Sequence, residues 1–422
     1  MSFLFCVMSS PVSFPPTPDL YQPFYGHELL GIAASGGEIS GKEGRALFRS
    51  IQELVARNIS VLLTYGEMFP DFPGAYQRET KDEILKGLRN VLPDDCPIDD
   101  ISPEHVVCTF KPDDCKLVGT PIRVDRDITA PVTIVGYYGV VDGRVVPVRK
   151  DDIAKILAPR TVENFLVTRT GGVVENSSDP PEKQGAVSVM FADEIDEDGG
   201  YRNFDIDGDK RKILRNAKAM ADDARIVIAA GGDIPGEIFN VGGKGTLVVQ
   251  RRNIVVGHPT APEREIVKFV IEQNERAGNF RPRTEAERAL ALRHHLVLRE
   301  HTPLAGCSLV PFEDGSMELS TLWSGYNGMG KILAEEAKRY FLSRSDCRLL
   351  FALSQLDNPK GEIAQDETVQ RFQRYGFRFI GPLSDVKAKQ GVPVPPHLKT
   401  YDTDARNPCL FVATREELSQ RG

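Results

Sequence analysis

One stretch constrains the fold more than any other. Met317, Leu319 and Leu322 mark a strand, Trp323-Ser-Gly-Tyr-Asn-Gly-Met-Gly-Lys331 is a glycine-rich turn, and Ile332, Leu333, Ala337, Tyr340 and Phe341 share one face of a following helix. Such a turn collects backbone N–H groups and the positive end of a helix dipole at one point, an arrangement suited to a phosphate or pyrophosphate. The competing reading is a tight connection with no ligand. Further along, an acidic helical run leads into Arg371-Phe-Gln-Arg-Tyr-Gly-Phe377.

A chain of 422 residues is long for a single core, so two domains are expected. A net charge of −8 argues against non-specific nucleic-acid binding. The seven cysteines, without a CxxC pair, read as reduced thiols rather than a disulfide frame or a zinc site. His294-His295 opens an apolar run, which favours a structural role over a metal role, and no metal is expected. The apolar segment Met1–Met8 is short and lacks the charged flank of a secretion signal; no segment approaches a membrane span. A soluble, cytoplasmic protein with no membrane partner is the expectation.

From about residue 28 to 250, short strand-like runs alternate with helical ones, which implies a mostly parallel, helix-covered sheet. The strands expected are 29–34, 60–65, 131–138, 164–168 and 225–230, with helices at 41–57 and 211–223. Residues 1–24 read as a flexible arm, and 93–114 and 177–209 as acidic surface excursions. A joint at 256–262 leads to a helix at 264–277 and antiparallel strands at 295–299 and 306–310 that precede the glycine-rich turn. The domain boundaries are set at 25–254 and 255–418.

These elements carry a resemblance. Phe372 and Gly376-Phe377, together with the turn, are similar to the closing signature and pyrophosphate loop of the GCN5-related acetyltransferases. Ser35-Gly-Gly-Glu38, Tyr65-Gly-Glu-Met-Phe-Pro70 and Glu237-Ile-Phe-Asn-Val-Gly-Gly-Lys-Gly-Thr246 resemble loops of the amino-acid kinase fold. Over residues 28 to 415 the pair resembles the bacterial-type N-acetylglutamate synthases. The implied fold class is α/β: an amino-acid-kinase-like sandwich with a mainly parallel sheet, followed by an α+β acetyltransferase domain. An active kinase of this fold needs a lysine two residues before its first Gly-Gly to meet the charge of a transferring phosphoryl group. Ala34 stands between strand and loop where that charge is expected, and Arg149 replaces the asparagine before Asp151, so the first domain should be catalytically silent. Relatives of this architecture assemble through that domain, and a homo-oligomer is implied.

The resemblance implies acetyl-CoA as cosubstrate, held by Leu319, Leu322, Gly325, Asn327, Gly328, Met329, Gly330 and Lys331, and L-glutamate as acceptor. Glu318 sits where related synthases carry a glutamate that takes the amine's proton. Tyr375 is a candidate donor to the leaving thiolate, since a phenol lies close in acidity to a thiol. Arg283 matches an acceptor-site arginine of the synthases. Where their second arginine is expected this chain has Gln355, with Ser354 beside it, and Lys360 or Arg371 is a candidate replacement for the missing charge. The acceptor is therefore glutamate bound differently, or another amino acid or amine. L-Arginine is the implied effector, with Glu237, Gly243 and Gly245 as its site; the alternative is a solvated glutamate before a turn. The remaining alternatives are an N-acetylglutamate-kinase-like enzyme and a non-catalytic arginine or CoA sensor.

Overall fold

The structure is a computed structural model and describes residues 17–66, 75–110, 118–178, 184, 186–326, 328–356, 366–388, 394–395, 398 and 407–420. These divide into two compact units, with the division between Asn253 and Ile254. No helix among the described residues is long and apolar enough to cross a membrane.

The first unit is built on an eight-stranded sheet in the order Val189–Phe191, Thr246–Val249, Arg225–Ala229, Glu163–Val167, Leu29–Ala34, Ser60–Tyr65, Val132–Val135, Ile98–Ile101. Every neighbouring pair is parallel except Arg225–Ala229 with Thr246–Val249. The central strands are apolar almost throughout because helices cover both faces, and Leu30 to Ala34 are buried without alternation. The helix Gly41–Val55 places Leu47, Ile51 and Leu54 on one stripe, all fully buried, each contributing roughly 1.5–3 kcal/mol. Between the central strands, Arg225 Nε lies 3.0 Å from Glu163 Oε1, and Tyr25 Oη donates to Glu163 Oε2 at 2.7 Å.

Four expectations are corrected here. The chain at Pro18–Tyr25 is a helix that buries Tyr21 and Tyr25, where the expected arm extends to residue 24; the sequence before residue 17 lies outside the described residues. The run 131–138 is two strands: Val132–Val135 joins the large sheet, and Tyr138–Val141 joins a second sheet with Val106–Thr109, Thr120–Val124 and Arg144–Pro147. The break falls at Gly136, where a Cβ would lie 3.0 Å from the Tyr65 hydroxyl. The expected excursion 93–114 contains the edge strand Ile98–Ile101, whose two aspartates disguise it. The excursion 177–209 supplies the opposite edge, Val189–Phe191, and buries Met190, Ile195, Tyr201 and Ile206.

The second unit holds a seven-stranded sheet in the order Val255–Gly257, His295–Arg299, Pro303–Pro311, Ser316–Ser324, Leu349–Ser354, Cys409–Thr414, Arg378–Pro382. Its pairs are antiparallel except Ser316–Ser324 with Leu349–Ser354. The helix between those two strands, Met329–Ser343, buries Met329, Leu333, Ala334, Ala337 and Phe341. Arg415 closes its C-terminal end by donating to Leu342 O at 2.8 Å and Phe341 O at 3.1 Å, a cation placed on the orphan carbonyls. On the helix Glu367–Arg374, Phe372 stacks on Phe411 at 4.2 Å and meets Phe377 edge-on at 5.4 Å. That packing explains the Phe372 and Gly376-Phe377 spacing.

Candidate active site

The site forms where two parallel strands part. Ser316–Ser324 and Leu349–Ser354 pair only from Ser316 opposite Leu349 to Glu318 opposite Phe351. Beyond Glu318, no strand among the described residues pairs with that edge of Leu319 to Ser324. On its other edge the strand bulges: Ser308 faces Ser320 and Gly306 faces Trp323, so Thr321 and Leu322 together oppose Cys307. Thr321 is left-handed at φ 46°, a conformation that costs a β-branched residue roughly 1–3 kcal/mol.

Glu318 stands at the fork, 5% exposed, and its Oε1 has no hydrogen-bond partner among the described residues. Burial pushes its carboxyl up from 4.5 to about 7, and Arg283 and Arg281 pull it part of the way back. A carboxyl poised near neutrality is equipped to take a proton from a bound group.

The turn after the strand leads into the helix Met329–Ser343 through Gly328, whose φ of 89° suits glycine alone. A Cβ on Gly328 would meet nothing within 4 Å, so the space beside it is open. Leu319, Leu322, Met329 and Gly330 are buried, Gly325 N–H donates to Leu304 O at 3.0 Å, and Lys331 is exposed. Asn327 lies outside the described residues. The Tyr375 hydroxyl sits 3.6 Å from where a Gly330 Cβ would be, which brings the phenol to the start of the helix. Burial raises the phenol's pKa, against the pull of Arg371 and Arg374, so it keeps its proton through neutral pH. Turn, Tyr375 and the parted strands thus border an open space at the start of the helix that suits an anionic ligand. No group of three or more His, Cys, Asp or Glu able to hold a metal occurs among the described residues.

The acceptor candidates are less uniform. Arg283 is buried, and its Nη1 donates to Glu275 Oε1 at 2.9 Å while Arg288 Nε meets Glu275 Oε2 at 3.0 Å. It belongs to an internal ion-pair group and also acts electrostatically on Glu318. Ser354 is fully buried, with its hydroxyl 3.2 Å from Gln355 O. Gln355 Nε2 and Arg371 Nη1 are buried donors with no hydrogen-bond partner among the described residues. Lys360 lies outside the described residues.

In the first unit, Ala34 ends the strand Leu29–Ala34, buried and uncharged. Asp151 accepts from Asn216 Nδ2 at 2.8 Å. A cavity of about 380 Å³ opens beyond Val167, lined by Glu38, Lys42, Arg169 and Asp233 among others. Glu237 is 2% exposed, and its Oε1 accepts from Gly245 N–H at 2.7 Å. A Cβ on Gly243 would fall 1.7 Å from Glu237 Oε2, so the close approach these glycines permit is that of the loop to its own glutamate. Burial drives that carboxyl from 4.5 to about 7 against the hydrogen bonds from Gly245 and Lys244.

No protein-family model matches the sequence, and no curated protein matches it. Among solved structures, N-acetylglutamate synthase from Neisseria gonorrhoeae complexed with coenzyme A and L-arginine is similar over 93% of this chain and 96% of its own, at 14% identity and a TM-score of 0.55. The chain has the fold of N-acetylglutamate synthase. The same enzyme complexed with coenzyme A and N-acetyl-glutamate gives 15% identity, the same coverage and a TM-score of 0.49. Carbamate kinase from Giardia lamblia bound to AMP-PNP covers 54% of this chain and 99% of its own at 14% identity, with a TM-score of 0.39.

Within this synthase fold, two features carried no signal in the sequence. One is the bulge at Thr321, whose backbone conformation is imposed by the neighbouring strand. The other is the His295 imidazole, hydrogen-bonded to Ser308 Oγ at 2.9 Å and to Trp323 Nε1 at 3.2 Å. Its position at the head of an apolar run reads as structural, and nothing local in the sequence points to Ser308 or Trp323 as its partners.

Proposed function

We propose that the chain is an N-acetyltransferase that moves the acetyl group of acetyl-CoA to the amine of L-glutamate, the opening reaction of arginine biosynthesis. The observation that carries this reading is Glu318: a buried carboxyl near pKa 7, with one oxygen that has no hydrogen-bond partner among the described residues, at the point where the two strands part beside the glycine-rich helix start. The amine, freed of its proton by Glu318, attacks the thioester carbonyl carbon. A carbon–nitrogen bond forms and the carbon–sulfur bond breaks; the thiolate takes the Tyr375 proton, and the proton that the nitrogen sheds as the amide forms restores the Tyr375 phenol. The glycine-rich turn at Gly328 and Gly330, at the start of the helix Met329–Ser343, holds the pyrophosphate, and Leu319 and Leu322 line the pantetheine arm.

A second reading keeps the chemistry and changes the acceptor. Gln355 presents a neutral amide where the resemblance leads one to expect an arginine, and that buried donor suits a carboxylate or a carbonyl alike. Release of CoA measured against a panel of amino acids separates the two: turnover with glutamate supports the first, turnover with a different amine the second. For the first domain we propose a silent kinase fold that acts as an L-arginine-responsive element through the Glu237–Gly245 loop. An arginine-dependent shift of melting temperature, lost in Glu237→Ala, supports that role, and no arginine binding by calorimetry contradicts it.

A further inference from the structure

A chain of hydrogen bonds ties the bulge at Thr321 to two neighbouring strands and a helix. The Trp323 indole has a donor and no acceptor, so its 3.2 Å bond to His295 Nε2 leaves the imidazole proton on Nδ1. Nδ1–H then donates to Ser308 Oγ at 2.9 Å. The Ser308 hydroxyl gives its own hydrogen to Ala291 O at 2.9 Å, so its oxygen accepts a second bond from the Thr321 hydroxyl at 2.5 Å. His295, Ser308 and Thr321 are all 0% exposed. Gly306 makes the crossing possible, since a Cβ there would lie 2.4 Å from His295 Nε2 and 2.7 Å from the Trp323 ring.

Every donor in this set is used, and the set ends on the one residue of the cofactor strand held at positive φ. A buried polar network is expensive to assemble and specifies a single geometry once satisfied. Burial alone would be met more simply by apolar residues. Its terminus lies on the stretch Leu319 to Ser324, which has parted from the strand Leu349–Ser354 and borders the cofactor cradle.

We propose that His295, Ser308 and Thr321 form a positioning clamp for acetyl transfer: they hold Thr321 in its left-handed conformation and thereby fix the backbone of Thr321 and Leu322 against which the thioester lies. The clamp residues touch neither substrate; they act through the bulge. This inference rests on the acetyl-transfer reading.

The test uses the full chain with Ser308→Ala, Thr321→Gly and Thr321→Ser. Glycine accepts positive φ without strain but lacks the hydroxyl, and serine keeps the hydroxyl. Ser308→Ala and Thr321→Gly are expected to lower kcat by roughly 10- to 100-fold while the KM for acetyl-CoA stays within about threefold, and Thr321→Ser is expected to restore most of the turnover. Amide hydrogen exchange across 319–324 is expected to quicken in Ser308→Ala while the other strands of the sheet stay protected. Wild-type kcat per folded enzyme in Ser308→Ala or Thr321→Gly, whatever the melting temperature, overturns the clamp; so does unchanged exchange. If Ser308→Ala does not fold, Thr321→Gly decides both readouts. A wild-type chain that acetylates no amine overturns the reaction and with it the clamp's catalytic purpose, while the exchange measurement still separates a real clamp from none.

Discussion

Glu318→Gln is the substitution in which stability and activity are expected to move in opposite directions. The change removes a charge from a site 5% exposed while keeping the size of the side chain. Burial that lifts the carboxyl from 4.5 to about 7 amounts to roughly 3 kcal/mol against the ionised form. The folded state holds this proton more tightly than the unfolded chain. Stability from this group is therefore complete below the unfolded pKa and lost as pH rises through the folded value near 7. At about pH 8 the glutamine variant should be more stable than the wild type by up to that amount, and the advantage should vanish as pH falls to about 4.5. Catalysis runs the other way, because the base works only when ionised. In the wild type, kcat/KM for CoA release should climb about tenfold per pH unit below about 7 and flatten above it, whereas the variant should lose that limb and fall by roughly 10²–10⁴-fold. Urea unfolding at several pH values and a pH–rate profile check the two halves. An intact acidic limb in Glu318→Gln, or a variant no more stable at alkaline pH, would refute the reasoning.

Other outcomes follow from the same geometry. Tyr375→Phe should lower kcat by about 10- to 100-fold with little change in acetyl-CoA affinity, read by steady-state kinetics and calorimetry. Gly328→Ala meets no atom within 4 Å, so its cost is the backbone alone, about 1 kcal/mol from φ 89°, seen as a lower melting temperature together with weaker CoA binding. Arg283→Ala leaves the buried Glu275 paired with the half-exposed Arg288 and should cost about 3–5 kcal/mol in urea unfolding, a structural loss that precedes any effect on acceptor KM. Glu237→Ala strands the Gly245 N–H and should cost about 1–3 kcal/mol in the same assay.

What was legible in the sequence was local. The glycine-rich turn announced itself because positive φ at Gly328 and helical periodicity after it are properties of a few adjacent residues. The central strands at 29–34 and 60–65 were equally plain, since strands buried on both faces are apolar without alternation. Strands at the sheet edges were not. Asp99 and Asp100 interrupt Ile98–Ile101, and Val189–Phe191 lies in a run dominated by acids and glycine, so composition pointed to loop where pairing made strand. The helix Pro18–Tyr25 was hidden by its prolines, one at its start and one inside. In the site, Glu318 came from a resemblance rather than from its own pattern. Its unusual chemistry depends on burial by residues distant in sequence, and the left-handed Thr321 depends on Ser308 and His295 on other strands.

The measurement that bears most directly on the central claim is CoA release from acetyl-CoA with purified full-length chain, offered L-glutamate and a panel of other amino acids one at a time. Acetyl transfer predicts turnover that requires an amine, with glutamate the preferred acceptor and Glu318→Gln slower by roughly 10²–10⁴-fold beside it. CoA release from no member of the panel, or release that is the same with and without an amine, would contradict it.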